Sequence, residues 1–170
     1  MSRIVSDRVV EGYGEVFRSY EIHDLEYFEY QWSKSIKFSI APEKVDYTNI
    51  TDYGTLPHRD EMQTSINYYL NPENCVTAFW QLTTYNYEPE SINQLQQDGT
   101  WQQAQHVKTF DKTKLRLVNY FKAYPGDAYI LNVKHIHSVE KPNLGTKREF
   151  LRWSWFNYDI TEILKSIQLP

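Results

Sequence analysis

Apolar and β-branched residues recur along most of the chain in short runs, and turn residues separate the runs. These runs predict strands at Ile36 to Ile40, Thr64 to Leu70, Cys75 to Thr84, Leu115 to Tyr120, Ala128 to Val133 and Glu149 to Phe156. The turns between them are Asn71-Pro72-Glu73-Asn74, Tyr124-Pro125-Gly126-Asp127 and Pro142-Asn143-Leu144-Gly145. Strands joined by such short turns predict a mostly antiparallel sheet.

Two further segments have the pattern of a helix. Apolar positions between Ser19 and Trp32 recur at spacings of three or four, which predicts a helix that packs one face against a sheet. Near the end of the chain, Asp159 followed by Glu162 forms a capping-box pattern ahead of an apolar run. We therefore predict a short terminal helix.

The segment from residue 86 to 114 differs from its surroundings. It is polar and rich in glutamine, and only Trp101 interrupts it with a large apolar side chain. Because it shows no sustained period, we interpret it as a long insertion or lid.

The composition fits one compact domain. At 170 residues, with 41% hydrophobic and 24% charged residues, the chain matches an ordinary globular protein. The aromatic share of 16% favours strands, because broad rings pack well on a pleated surface. We expect a single domain over 1–170, with a core barrel over about 36–158.

Charge and cysteine content narrow the possible functions. Eighteen basic residues against twenty-two acidic ones give a net charge of −4, which argues against bulk attraction to duplex nucleic acid. The lone Cys75 excludes an internal disulfide and a cysteine cage, so any metal must use His, Asp or Glu. Because the sequence shows neither the apolar core of a signal peptide nor an apolar span, we expect a cytoplasmic protein without a membrane partner.

One short triplet has the spacing of a chelate. Residues two apart on a strand point to the same face, so His58 and Asp60 can offer a nitrogen and a carboxylate oxygen to one point. Two histidines, His135 and His137, follow a predicted strand far along the chain. Either one completes a set of two histidines and one carboxylate, which leaves open positions on a non-haem Fe(II).

Together these motifs resemble the Fe(II)- and 2-oxoglutarate-dependent oxygenase family. The resemblance rests on His58-x-Asp60, on the PGDAYILN segment that leads into His137-Ser138-Val139, and on Arg148 with the later Arg152-Trp153-Ser154-Trp155. It extends from about Tyr53 to Phe156. It implies a double-stranded β-helix, a jelly-roll barrel of eight core strands with the metal in one mouth and with flanking helices.

The resemblance also implies roles for individual residues. His58, Asp60 and His137 would bind iron, with His135 as the reserve for the distal position. Tyr53, and Tyr68 if the strand alternation persists from Asp60, would place hydroxyls near the co-substrate.

Two arginines compete for the far carboxylate of 2-oxoglutarate. Arg148 lies eleven residues after His137, close to the spacing usual in the family, whereas Arg152 begins an Arg-x-Ser motif that some members use. The two share a strand face, and the spacing leaves the choice open. Trp153 and Trp155 have the opposite parity, which predicts core rings packed under a helix.

The function that the resemblance implies is hydroxylation of an unidentified substrate, a peptide side chain or a small metabolite, with Fe(II), 2-oxoglutarate and O2. The alternative is a cupin-like jelly-roll module for binding or structure, with a vestigial metal site. An arginine buried in the barrel mouth favours the enzyme, because an unpaired buried cation is costly unless an anion binds it. Two arginines in bulk water favour the module.

Overall fold

The structure is a computed structural model, which describes residues 3–10, 14–21, 39–50, 55–95, 101–140 and 148–166. These residues form twelve strands, one 3-10 turn and one α-helix. The strands are β1 (Arg3–Val10), β2 (Gly14–Glu21), β3 (Lys44–Ile50), β4 (Thr55–Arg59), β5 (Thr64–Asn71), β6 (Val76–Leu82), β7 (Glu90–Leu95), β8 (Trp101–Thr109), β9 (Leu115–Lys122), β10 (Ala128–Asn132), β11 (Ile136–Glu140) and β12 (Arg148–Trp155). The 3-10 turn is Lys112–Lys114, and the helix α1 is Ile160–Ser166.

The strands form two six-stranded antiparallel sheets. The first has the order β1-β2-β10-β5-β12-β3 and the second has the order β7-β8-β4-β11-β6-β9. In the core that β3 to β6 and β9 to β12 make, consecutive strands repeatedly cross between sheets, and the first core strand pairs with the last. This is the order of a jelly roll, the topology of the double-stranded β-helix, so the predicted fold class is confirmed.

The polar segment from 86 to 114 is not irregular along its length. It contains β7, β8 and the 3-10 turn, and β8 pairs with β4 next to His58. The hairpin therefore extends the second sheet. Periodicity missed it because strand pairing uses backbone groups, whereas an apolar period reports only which side chains are buried.

The prediction of a helix from Ser19 to Trp32 is wrong for its first three residues. Ser19 to Glu21 lie in β2, which pairs with both β1 and β10, so sheet pairing overrides the local helical spacing there. Residues 22–38 lie outside the described part of the chain, and with them most of the predicted strand at Ile36 to Ile40. No helix in the described residues is long and apolar enough to cross a membrane.

Two apolar clusters cover the faces of the first sheet. The inner cluster fills the space between the sheets with Met62, Tyr69, Phe79, Phe121, Ala123, Tyr129, Leu131, Val133 and Phe150. The outer cluster lies under α1 and contains Ile66, Tyr68, Ala128, Ile130, Trp153, Trp155, Ile160 and Ile163. The prediction that Trp153 and Trp155 are core rings under a helix is confirmed.

Two of the three predicted turns and the predicted helix cap are also confirmed, and the third turn, Pro142-Asn143-Leu144-Gly145, lies outside the described residues. The Asp159 backbone N–H donates to Glu162 Oε2 over 2.8 Å, and the Glu162 N–H donates to Asp159 Oδ1 over 2.9 Å, which is a capping box. Positive φ angles occur at Glu73, Asn74 and Gly126, inside two of the predicted turns. These turns and caps set where β5, β9 and α1 end or begin.

We expect Trp155→Ala to lower the free energy of unfolding by about 3–5 kcal/mol, because the ring is fully buried under α1 and its indole N–H donates to the Ile40 carbonyl. Urea unfolding followed by far-UV circular dichroism measures the change. Tyr120→Ala, at an exposed position of β9, is the control and should change the value by less than about 0.5 kcal/mol. Equal effects of the two variants would contradict the assignment of this core.

Candidate metal centre

His58 and His137 face each other across neighbouring strands of the second sheet. They are register partners in the antiparallel pair of β4 and β11, and their ring centroids are 4.5 Å apart. The sequence places them far apart, and the crossing of the jelly roll makes them neighbours.

Asp60 approaches the two histidines from just beyond the end of β4. Its backbone N–H donates to the Val133 carbonyl over 3.0 Å, which ties it to the turn before β11. The carboxylate lies 3.2 Å from His58 Nε2 and 3.9 Å from His137 Nε2. His58 and Asp60 therefore converge as predicted, although Asp60 lies one residue beyond the end of β4.

The three side chains form a group that can hold a metal ion. One ligand atom from each of His58, Asp60 and His137 lies within 4.8 Å of the others. His135 is not part of the group; its backbone carbonyl accepts a hydrogen bond from His137. Of the two histidines that the sequence left open, the structure brings His137 to the site.

Backbone hydrogen bonds orient both imidazoles. His58 Nδ1 lies 2.7 Å from the Leu56 carbonyl and His137 Nδ1 lies 2.8 Å from the His135 carbonyl. A carbonyl only accepts, so Nδ1 carries the proton in both rings and Nε2 faces Asp60. This is the arrangement by which proteins fix the tautomer of a metal-binding histidine.

The charges of the three groups depend on burial and on one another. Burial opposes ionisation of Asp60, but the hydrogen bond from His58 and the nearby cationic groups outweigh it and hold the Asp60 pKa well below its usual range. Burial and the charge of His58 lower the pKa of His137 to about 4. Burial also disfavours the cation of His58, yet the hydrogen bond and charge of Asp60 prevail and raise its pKa.

Arg152 joins this group to the edge of the first sheet. Its NH1 lies 3.8 Å from Asp60 Oδ2, and its NH2 lies 3.3 Å from Asp46 Oδ1. The side chain is 22% exposed. Two carboxylates thus already share the charge of Arg152.

Arg148 is more deeply buried, and no carboxylate of the described residues pairs with it. It is 3% exposed, and its NH2 donates to Tyr69 Oη over 2.7 Å and to Thr77 Oγ1 over 2.8 Å. The guanidinium carbon lies 5.1 Å from the Tyr69 ring centroid and 5.2 Å from that of Phe150. None of the ion pairs found among the described residues includes Arg148.

A single cavity of about 90 Å³ connects these groups. Its walls are made by Thr48, Thr55, His58, Asp60, Ser65, Asn67, Thr77, Leu131, Val133, His137, Val139, Arg148, Phe150 and Arg152. The predicted ligands and both predicted arginines therefore lie around one space, and the arginines share a strand face as expected.

Of the two tyrosines predicted near the site, Tyr68 does not line the cavity. Tyr68 lies in the outer cluster under α1, on the opposite face of the first sheet, so its predicted orientation is wrong. The alternation does not carry over from Asp60, because residues 61–63 form a bend between β4 and β5. Tyr69 is the neighbour that contacts Arg148, and Tyr53 lies outside the described residues.

Sequence reasoning also missed Thr77 and Asn67. Thr77 belongs to β6 and Asn67 to β5, and both line the cavity. Side chains alternate between the two faces of a strand, so an inward-facing Tyr69 places Asn67, two residues earlier in β5, on the same inner face.

Alanine substitution of His58, Asp60 or His137 should each abolish tight binding of Mn(II), a stand-in for Fe(II), because the remaining two ligands hold the ion weakly. Isothermal titration calorimetry measures the affinity. The matched control is His135→Ala, which removes an imidazole outside the group and should bind Mn(II) within about twofold of the unchanged protein. Loss of binding in that control alone would overturn the choice of distal ligand.

Metal affinity should fall as the pH falls. A metal ion on His58 Nε2 displaces a proton that the raised pKa of His58 retains, so the affinity declines by about tenfold per pH unit below that pKa. His137 adds no further loss until the pH nears its pKa of about 4. Mn(II) titrations in a series of buffers test the slope, and an affinity independent of pH would contradict it.

Comparisons with known proteins assign no family. No family model matches the chain, and no curated protein sequence matches it. Among solved structures, the chain is similar to dTDP-6-deoxy-D-glucose-3,5-epimerase RmlC from Legionella pneumophila, solved in complex with dTDP-4-keto-L-rhamnose. The match covers 93% of this chain and 73% of that one, with 9% identity and a TM-score of 0.41. The fold is therefore assigned from the strand order and the site from its own geometry.

Proposed function

We propose that the protein is a non-haem Fe(II)- and 2-oxoglutarate-dependent oxygenase that hydroxylates an unidentified substrate. The observation that carries the proposal is the presence, around one cavity, of a His-Asp-His group and a buried arginine without an ion-pair partner among the described residues. Neither feature alone specifies this chemistry. A metal and a dianionic co-substrate account for both.

The residues fit a resident Fe(II). Two neutral imidazole nitrogens and one carboxylate oxygen approach from one side, which is the donor set of non-haem Fe(II) oxygenases. When bound, Fe(II) with 2-oxoglutarate and O2 supplies the oxidising power for hydroxylation of a C–H bond. The chain contributes fixed ligand directions, through the Leu56 and His135 carbonyls.

Arg148 suits the far carboxylate of the co-substrate. A buried guanidinium with only hydroxyl partners is costly, and a carboxylate offers both charge and two acceptor oxygens to its planar fork. The two hydrogen bonds to Tyr69 and Thr77 occupy NH2 and leave the other N–H groups for the ligand. The flanking Tyr69 and Phe150 rings keep the guanidinium in place.

Arg152 has a different role in this proposal. It lies between Asp46 and Asp60, where it favours the ionised form of the metal-binding carboxylate. An arginine that already faces two carboxylates gains less from a third, so Arg148 is the co-substrate arginine.

Apolar groups limit water around the ligands. The Phe79 ring centroid lies 6.2 Å from that of His137, and Leu131 and Val133 line the same cavity. In such surroundings charged contacts with the co-substrate are stronger than in water.

The alternative, a jelly-roll binding module with a vestigial metal site, predicts that both arginines point into bulk water. The burial of Arg148 beside the metal-binding group is the observation that favours the enzyme.

Arg148→Gln should weaken 2-oxoglutarate binding by at least ~30-fold, because it removes the buried charge that pairs with the carboxylate. Calorimetry on protein loaded with Mn(II) measures the co-substrate affinity, and Mn(II) affinity itself should be retained. Arg116→Gln, at an exposed position of β9, is the matched control.

Turnover tests the same proposal directly. Anaerobically purified protein given Fe(II), 2-oxoglutarate and O2 should form succinate, and His58→Ala should not. Unchanged co-substrate affinity in Arg148→Gln, together with no iron-dependent succinate, would contradict the oxygenase assignment.

A further inference from the structure

Four buried polar atoms on two adjacent strands lack a hydrogen-bond partner among the described residues. They are Ser65 Oγ and Asn67 Oδ1 on β5, and Arg152 Nε and Ser154 Oγ on β12. Asn67 is the register partner of Arg152, and Ser65 is the register partner of Ser154. The four side chains thus form one continuous patch, which we call the β5–β12 patch.

Three of the four residues of the β5–β12 patch line the cavity of the metal-binding group, and Ser154 lies beside Ser65 on the neighbouring strand. Ser65, Asn67 and Arg152 line the same cavity as His58 and His137, but they belong to the first sheet whereas the histidines belong to the second. Arg148 lies four residues before Arg152 on β12, so it is displaced from the patch along the strand. The cavity therefore has two separate sets of polar side chains, one around Arg148 and the other at the β5–β12 patch.

The cost of this arrangement points to a ligand. Ser65 is 1% exposed, Asn67 is 6% exposed and Ser154 is fully buried, so water does not freely solvate them. A buried polar atom without a partner destabilises a fold, and native proteins contain few of them. Because these atoms are grouped on one wall beside a metal-binding group, we interpret them as hydrogen-bonding partners of a bound molecule.

Charge balance indicates that this molecule is neutral at the patch. Arg152 is the one charged residue of the patch, and it already pairs with Asp46 and Asp60, so the patch offers a ligand no free positive charge. A further full charge would be buried without a counter-ion, which is unfavourable.

We propose that the β5–β12 patch is the subsite for the prime substrate and that it binds a neutral carboxamide group. The inference rests on the proposed function, because a substrate subsite beside the metal-binding group presupposes the oxygenase. An amide offers one acceptor and two donors, which complements the Arg152 N–H, the Asn67 carboxamide and the two hydroxyls. An asparagine-like or glutamine-like side chain, or a small amide, has this group.

The experiment compares propionamide with propionate, which has the same shape but carries a negative charge and no N–H. Saturation-transfer NMR measures their binding to protein loaded with Zn(II), a diamagnetic stand-in for Fe(II), and 2-oxoglutarate. We expect propionamide to bind and propionate not to bind. In the double variant Ser65→Ala, Ser154→Ala the propionamide affinity should fall by about tenfold.

Two controls separate binding from folding. The double variant removes hydroxyls that make no described hydrogen bond, so its unfolding temperature without ligand should stay equal or rise. Ser166→Ala removes a buried hydroxyl that donates to the Ile163 carbonyl over 2.7 Å, so it should lower that temperature and leave propionamide binding unchanged. Asn67→Ala provides an independent variant of the patch.

Three results would overturn the subsite: no propionamide binding to the unchanged protein, equal binding to the double variant, or a parallel loss of 2-oxoglutarate affinity in that variant. The last result would assign the patch to the co-substrate. If the unchanged protein fails to bind 2-oxoglutarate, the proposed function fails instead. In that case propionamide binding that the double variant lacks would still support the subsite, and its absence would overturn it.

Discussion

The Asp60 carboxylate is the point on which the site depends. It lies between the Nε2 atoms of two histidines from paired strands, and its backbone is tied to the turn that precedes the second of them. A negative group held there keeps both imidazoles directed at one point, since each ring is fixed from behind by a backbone carbonyl. Without that carboxylate, two buried rings would face each other with no common partner.

The inner face of the barrel combines an apolar core with polar groups that lack hydrogen-bond or ion-pair partners among the described residues. Close-packed rings around Tyr69 and Phe121 account for the stability of the interior. Arg148 and the β5–β12 patch lie beside this core, where a charge and hydroxyls without partners among the described residues oppose folding. Stability given up in this way is typical of a binding site that is complete only with its ligands.

The different roles that we propose for the two arginines follow from their positions on one strand. Four residues along β12 separate a guanidinium that faces two carboxylates from one whose partners in the described part of the chain are hydroxyls and rings. In the proposed function, the same residue type therefore supports a metal ligand at one end of the cavity and receives an anion at the other. Electrostatic context, and not residue identity, assigns the role.

The sequence by itself determined five strands of the barrel core, two of the turns between them, the cap of the terminal helix and the residue types of the site. Strands such as β5, β10 and β12 and the cap of α1 follow from short apolar runs, turn residues and a capping box, which act over a few neighbouring positions. The His58-x-Asp60 spacing and a distal histidine were visible for the same reason. The tertiary structure alone decided between His137 and His135, separated Arg148 from Arg152, and replaced Tyr68 by Tyr69. Alternation holds only within an unbroken strand, and burial and pairing across strands depend on residues that are distant in sequence.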